Sequence, residues 1–137
     1  MSFKPLMKLL LGALFVISLS ACRDTPQNAK LQITISDWSS WNANNIPNET
    51  EETYTVSVDD SIELGGICNL TVTVSSISDK EIILQTNTPM SDKVDGTVDL
   101  NTDKTEFSIH IGESLKLTTP TMDEGNIYSF EIISIKQ

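Results

Sequence analysis

The stretch Leu70-Thr-Val-Thr-Val74 alternates strictly between apolar and polar side chains. Successive side chains of a β-strand point to opposite faces of the sheet, so this period of two predicts a strand with one buried face and one wet face. The branched side chains of valine and threonine also favour extended backbone. We therefore expect residues 69–77 to form a strand of an all-β domain.

Similar alternation recurs along the chain from Leu31 onwards, with glycine, asparagine, aspartate and proline in the gaps, as expected of turns. No segment beyond Cys22 sustains a helical period. The pattern predicts about eight strands, at residues 31–36, 53–58, 61–64, 69–77, 81–87, 105–111, 114–118 and 127–135. This arrangement favours a single β-sandwich or small barrel over residues 31–137.

Two segments resemble each other closely enough to suggest an internal duplication. Tyr54-Thr-Val-Ser-Val-Asp-Asp-Ser-Ile-Glu-Leu64 aligns without gaps on Phe107-Ser-Ile-His-Ile-Gly-Glu-Ser-Leu-Lys-Leu117, and a longer predicted strand follows each segment. Each segment predicts a strand, an acidic turn and a short second strand. Two similar hairpin units could therefore face each other across one core, although any two amphipathic hairpins would look alike.

The first 22 residues differ in composition from the rest of the chain. Two positive charges, on Lys4 and Lys8, precede an apolar run at residues 9–19 that is shorter than the roughly 20 residues of a membrane-spanning helix. The run ends in Leu19-Ser-Ala-Cys22, which resembles the lipobox of bacterial lipoproteins. The alternatives are an uncleaved membrane helix and an ordinary secretory signal.

The lipobox resemblance implies that cleavage leaves Cys22 as the N-terminus and that its thiol carries a lipid, with acyl chains such as palmitate. Residues 1–21 are then a signal peptide, residues 22–30 an acylated tether and residues 31–137 the β domain. The resemblance also implies a place in the cell envelope. Because Arg23, not aspartate, follows the cysteine, the expected location is the outer membrane if the source is Gram-negative.

The chain is strongly acidic, with a formal net charge of −10 at pH 7. All acidic residues follow Cys22, whereas Lys4 and Lys8 precede it, so the exported part is more acidic than the whole chain. This charge repels phosphate backbones and anionic head groups, so we expect no nucleic-acid partner, and contact with the membrane only through the lipid. Cationic partners are favoured weakly, since acidic residues also serve simply for solubility.

The sequence offers no catalytic constellation. It contains one histidine, His110, and no phosphate-binding glycine loop, nucleophile elbow or zinc-binding histidine pair. With Cys22 assigned to the lipid, Cys68 has no partner for a disulfide within the chain, and we expect it to pack as a small buried hydrophobe. These features predict a protein that is not an enzyme and holds no cofactor.

Neither of two conceivable metal sites is favoured by residue spacing. A loop carries four aspartates whose spacing is not that of an EF-hand, and solvated turn residues are the preferred interpretation; these are Asp92, Asp95, Asp99 and Asp103. Four residues would suit copper chemically, but they lack any ligand spacing; these are His110, Met90, Met122 and Cys68. Because it alternates out of phase with its apolar neighbours, His110 is expected to point to solvent.

The tryptophans Trp38 and Trp41 are the candidate binding residues, since they lie at the start of a predicted long polar loop. Exposed indoles can stack on sugars or anchor a protein partner. The alternative is that they fold back and cap the open end of the β core, because tryptophan is usually largely buried.

Two functions fit these observations. The first is a lipid-anchored, non-catalytic binding or adaptor module of the bacterial cell envelope, which presents loops or a strand edge to an envelope protein or a glycan. The alternative is an envelope-anchored inhibitor, whose acidic β domain plugs the cleft of a basic lysozyme or protease.

Overall fold

A computed structural model describes residues 28–39, 48–93 and 97–136 of the chain. These residues form eight β-strands and contain no helix. The strands are β1 (Asn28–Ser39), β2 (Glu49–Ser57), β3 (Ser61–Gly65), β4 (Leu70–Ile77), β5 (Glu81–Thr86), β6 (Glu106–His110), β7 (Ser114–Thr118) and β8 (Glu124–Lys136). The predicted all-β domain of about eight strands is therefore confirmed.

The strands lie in two antiparallel sheets that are not closed into a barrel. The first sheet has the order β2-β1-β8-β7, and the second sheet has the order β3-β4-β5-β6. The inner faces of both sheets supply the buried apolar core, which includes Leu31, Ile33, Val72, Val74, Ile82, Leu84, Ile109, Tyr128 and Phe130. The alternation seen in the sequence thus marks the inward-facing positions of a β-sandwich.

The first strand is longer at both ends than the sequence predicts. Asn28, Ala29 and Lys30 were expected in the tether, but they pair with both β2 and β8, and Ala29 is only 1% exposed. At its other end β1 continues to Ser39, so Trp38 lies in a strand and not in a loop. Pairing with β8 holds residues 37–39 in extended backbone after the apolar alternation has stopped.

The two similar segments are arches and not hydrogen-bonded hairpins. In the first segment the chain passes from β2 in the first sheet to β3 in the second sheet, and in the other it passes from β6 in the second sheet to β7 in the first. Let β1, β2, β3 and β4 exchange labels with β5, β6, β7 and β8, respectively. The order of the first sheet then becomes β6-β5-β4-β3, which is the order of the second sheet read backwards. Both halves of the chain therefore have the same topology, and each sheet takes two strands from each half.

A polar clamp joins the two sheets at one end of the sandwich. The Tyr128 hydroxyl donates a hydrogen bond of 2.6 Å to the carbonyl oxygen of Gly65, at the end of β3. The Asn126 Oδ1 accepts from the backbone N–H of Ile67 at 2.9 Å, and its Nδ2 donates to Asp37 Oδ1 at 2.6 Å. We call these five residues the cross-sheet clamp. Since Tyr128 and Asn126 belong to the first sheet, the clamp fixes the turn between β3 and β4 against it.

The turn held by the clamp requires glycine. Gly66 has a φ of +84°, a value that favours glycine, and a Cβ there would collide with the Tyr128 hydroxyl and the Asn126 side chain. Cys68 lies in the same turn and is partly buried, whereas the sequence predicted full burial. The close approach of side chains from β8 thus explains Gly66, whereas at Gly65 only the φ of +70° favours glycine.

The clamp also changes the acidity of Tyr128. Burial raises the pKa of its hydroxyl to about 12, and electrostatic repulsion from Cys68 and Asp37 acts in the same direction. The hydrogen-bonded hydroxyl is therefore held in its neutral form, which is the form that donates to Gly65.

We predict that Tyr128→Phe lowers the free energy of unfolding by about 1–3 kcal/mol, because the Gly65 carbonyl then loses its donor. Tyr54→Phe is the matched control. The Tyr54 hydroxyl donates to Glu52 at 2.6 Å on the surface, so its loss should change stability by no more than about 0.5 kcal/mol. Urea denaturation measures both, and equal effects would contradict a structural role for the clamp.

The pH dependence of the free energy of unfolding gives a second test of the clamp, in which wild type is compared with Tyr128→Phe. In the unfolded chain Tyr128 ionises near its ordinary pKa of 10.0, below its pKa of about 12 in the folded protein. The stability that Tyr128 contributes is therefore complete below pH 10 and is lost as the pH rises towards 12. The difference in unfolding free energy between wild type and Tyr128→Phe should shrink over this range, and a constant difference would contradict the assignment.

Candidate functional site

Trp38 lies on the face of the first sheet that points away from the core. Ile33 and Ile35 on β1 face the core, so the alternation of the strand places Trp38 on the outer face. Its partner on the neighbouring strand β8 is Gly125. The indole therefore neither sits in a loop nor caps the space between the sheets, which are the two positions that the sequence suggested.

The indole packs closely on the backbone of β8. A Cβ on Gly125 would lie only 2.8 Å from the Trp38 Nε1 atom, and it would also collide with the hydroxyls of Thr119 and Thr121. The Nε1 atom is buried and has no hydrogen-bond partner among the described residues. One edge of the ring is thus closed off from solvent, while the side chain as a whole is partly exposed.

A cavity of about 330 Å³ opens beside the indole, and we call it the Trp38 cavity. It is lined by Trp38, Lys93, Thr97, Val98, Lys116, Thr118 and Ile127. Its floor is the outer face of the first sheet, because Thr118 on β7 pairs with Ile127 on β8, next to Trp38 on β1. Its wall is formed by Lys93, Thr97 and Val98, which belong to the long connection between β5 and β6.

That connection is anchored to both sheets. Met90 is fully buried in the core, and Ser91 forms an antiparallel bridge with Thr118 through hydrogen bonds of 2.9 and 2.8 Å. The Ser91 hydroxyl then accepts a hydrogen bond of 3.0 Å from the backbone N–H of Asp99. These contacts hold the residues on either side of the cavity wall against the edge of β7.

The lining of the cavity is positively charged in an otherwise acidic protein. Lys93 and Lys116 both line it, and no acidic side chain does so among the described residues. By contrast Lys104, on the same connection, forms an ion pair with Asp92 at 2.6 Å. A small anion with an apolar face would therefore find complementary groups in the Trp38 cavity.

Two further cavities, of about 470 and 280 Å³, lie along the edge where β2 passes over β3. Both are lined by Tyr54 and Glu63, and Glu52 lies opposite Ile33, on the inward face of the edge strand. The hydrogen bond to Glu52 raises the pKa of Tyr54. An inward-pointing charge on an edge strand disfavours pairing with a strand of another copy. We therefore interpret these two cavities as features of a sheet edge that is protected against such pairing, and not as a binding site.

Several residues singled out in the sequence lie apart from the cavity or outside the described residues. Cys22, Trp41 and Asp95 are outside the described ranges. Among the described residues, no group of three or more histidine, cysteine, aspartate or glutamate side chains could hold a metal ion. His110 is exposed, as predicted, and its Nε2 lies 3.0 Å from Glu81 Oε2.

The sequence analysis missed the two lysines of the site. Lys116 carried a usable signal, because it alternates with Leu115 and Leu117 and so points away from the core. Lys93 carried none, since it belongs to an irregular connection whose path depends on the bridge between Ser91 and Thr118.

Comparison of the chain with protein families, curated proteins and solved structures found no match. In the described part of the chain, no helix has the length and apolar character needed to cross a membrane.

We predict that Gly125→Ala displaces the Trp38 indole and lowers the free energy of unfolding by about 1–3 kcal/mol, because the new methyl group overpacks the site. Fluorescence is measured in a Trp41→Phe background, so that Trp38 is the only emitter. The emission should shift to the red and be quenched more strongly by iodide. Ser129→Ala, on the same face of β8, is the control and should leave the spectrum unchanged; an unshifted Gly125→Ala spectrum would contradict the packing.

Proposed function

We propose that the protein is a lipid-anchored, non-catalytic binding module of the bacterial cell envelope. The anchoring rests on the lipobox-like sequence that ends at Cys22. The binding function rests on one observation, the Trp38 cavity, in which an aromatic ring, apolar side chains and two lysines converge. The inhibitor alternative rests on net charge alone, and the cationic lining of the cavity does not favour it.

The position of the cavity supports this function. Asn28, where β1 begins, is six positions after Cys22, a distance of at most about 22 Å along the chain. At roughly 3.3 Å per residue, Trp38 lies about 33 Å further along the same strand. An anchor at Cys22 would therefore leave the cavity at the far end of β1, where it can meet envelope components away from the lipid surface.

The anchoring predicts that Cys22→Ser leaves the precursor uncleaved or untethered, because a hydroxyl cannot form the thioether. Each methylene of the missing lipid removes about 0.8 kcal/mol of membrane affinity, so the variant should leave the detergent phase in a partitioning experiment. Cys68→Ser is the matched control and should partition as the wild type does. A Cys22→Ser protein that is cleaved at the same site and partitions as the wild type does would reject the anchor.

The binding function predicts that purified envelope polysaccharide retains the wild-type protein and that Trp38→Ala weakens this retention at least about tenfold. Ile133→Ala is the control, because Ile133 is an exposed apolar residue of β8, the strand next to β1, and lies far from the cavity. Co-sedimentation with the insoluble polysaccharide measures both variants. Equal retention of wild type and Trp38→Ala would remove the cavity from the binding function.

A further inference from the structure

We propose that the Trp38 cavity binds a pyranose sugar that carries an anionic group, with the ring against Trp38 and the anion between Lys93 and Lys116. This inference rests on the proposed binding function and assigns a ligand class to it. The anion is a carboxylate or a phosphate, since both carry a negative charge that the two ammonium groups can meet.

The size of the cavity favours a small ligand. Its volume of about 330 Å³ is near the lower end of the roughly 300–1,000 Å³ that ligand sites occupy. Such a volume suits one residue of a glycan better than a folded protein partner.

The shape of the lining favours a ring with apolar faces. Trp38, Val98 and Ile127 supply aromatic and aliphatic surface, while the side chains of Thr97 and Thr118 bring hydroxyl groups to the rim. A pyranose presents C–H groups on its faces and hydroxyls at its edge, so it matches both kinds of surface. Because the Trp38 Nε1 atom is turned towards Gly125, contact with the ring surface, and not a hydrogen bond from the indole, would hold the sugar.

The charge of the lining favours an anion. Lys93 and Lys116 both line the cavity and are exposed, so their flexible side chains can turn both ammonium groups towards an anion bound there. The net charge of −10 repels anions at long range, so the two lysines act only on a ligand that has already reached the cavity. A neutral sugar would leave both charges without a partner, and a bare anion would leave the apolar surface uncovered.

The experiment is a fluorescence titration of the lipidated protein in detergent, in the Trp41→Phe background. The probes are glucose, sodium glucuronate, glucose 6-phosphate, sodium acetate and inorganic phosphate. Glucuronate or glucose 6-phosphate should bind about tenfold more tightly than glucose, and more tightly than acetate or phosphate. The preference between glucuronate and glucose 6-phosphate distinguishes a carboxylated from a phosphorylated sugar.

Two double variants with the same change in net charge provide the control. Lys93→Gln with Lys116→Gln should reduce the affinity for the charged sugar to that for glucose, whereas Lys80→Gln with Lys136→Gln, away from the cavity, should leave it unchanged. Equal binding of glucose and the charged sugars would overturn the proposal. So would acetate or phosphate binding as tightly as the charged sugars.

The failure of this inference is distinguishable from the failure of the proposed function. If no probe changes the fluorescence but Trp38→Ala still weakens retention on envelope polysaccharide, the ligand class is wrong and the binding function stands. If retention does not depend on Trp38 either, both proposals are rejected.

Discussion

The pairing of β1 with β8 is the constraint on which the rest of the structure depends. It runs along the whole of β1, and it places Trp38 beside Gly125 and Asp37 beside Asn126. Because side chains alternate along a strand, a slip of one residue would turn Trp38 towards the core and carry Asp37 out of the clamp. The cavity on the outer face of the first sheet and the clamp on its inner face therefore depend on the same register of β1 and β8.

The clamp provides directional hydrogen bonds between the two sheets, which pairing within a sheet cannot provide. Hydrogen bonds between neighbouring strands hold each sheet together, but the two sheets meet mainly through apolar contacts that have no direction. The Tyr128 hydroxyl and the Asn126 side chain cross this interface and bind the backbone of one turn. They fix how the sheets lie on each other at the end of the sandwich that carries Trp38.

Most of the fold was predictable from local pattern, because alternation is a property of neighbouring residues. Segments such as residues 69–77 and 114–118 were placed to within a residue of their observed ends. The site was less predictable. Trp38 was identified as a candidate binding residue, but its position in β1 depends on Gly125, which is distant in sequence, and the place of Lys93 depends on a bridge to β7. Pairing between distant segments leaves no periodic signal.

The shared topology of the two halves has a consequence for the order of events during biosynthesis. Each sheet contains two strands from each half, and the central strand β1 finds its longest partner only in β8, at the C-terminal end. The second sheet is completed by β6, which ends at His110, but the first sheet requires β8 and cannot be completed until almost the entire chain has emerged. Such long-range pairing is slow to form. A chain built in this way closes its sandwich only after the last strand has been synthesised.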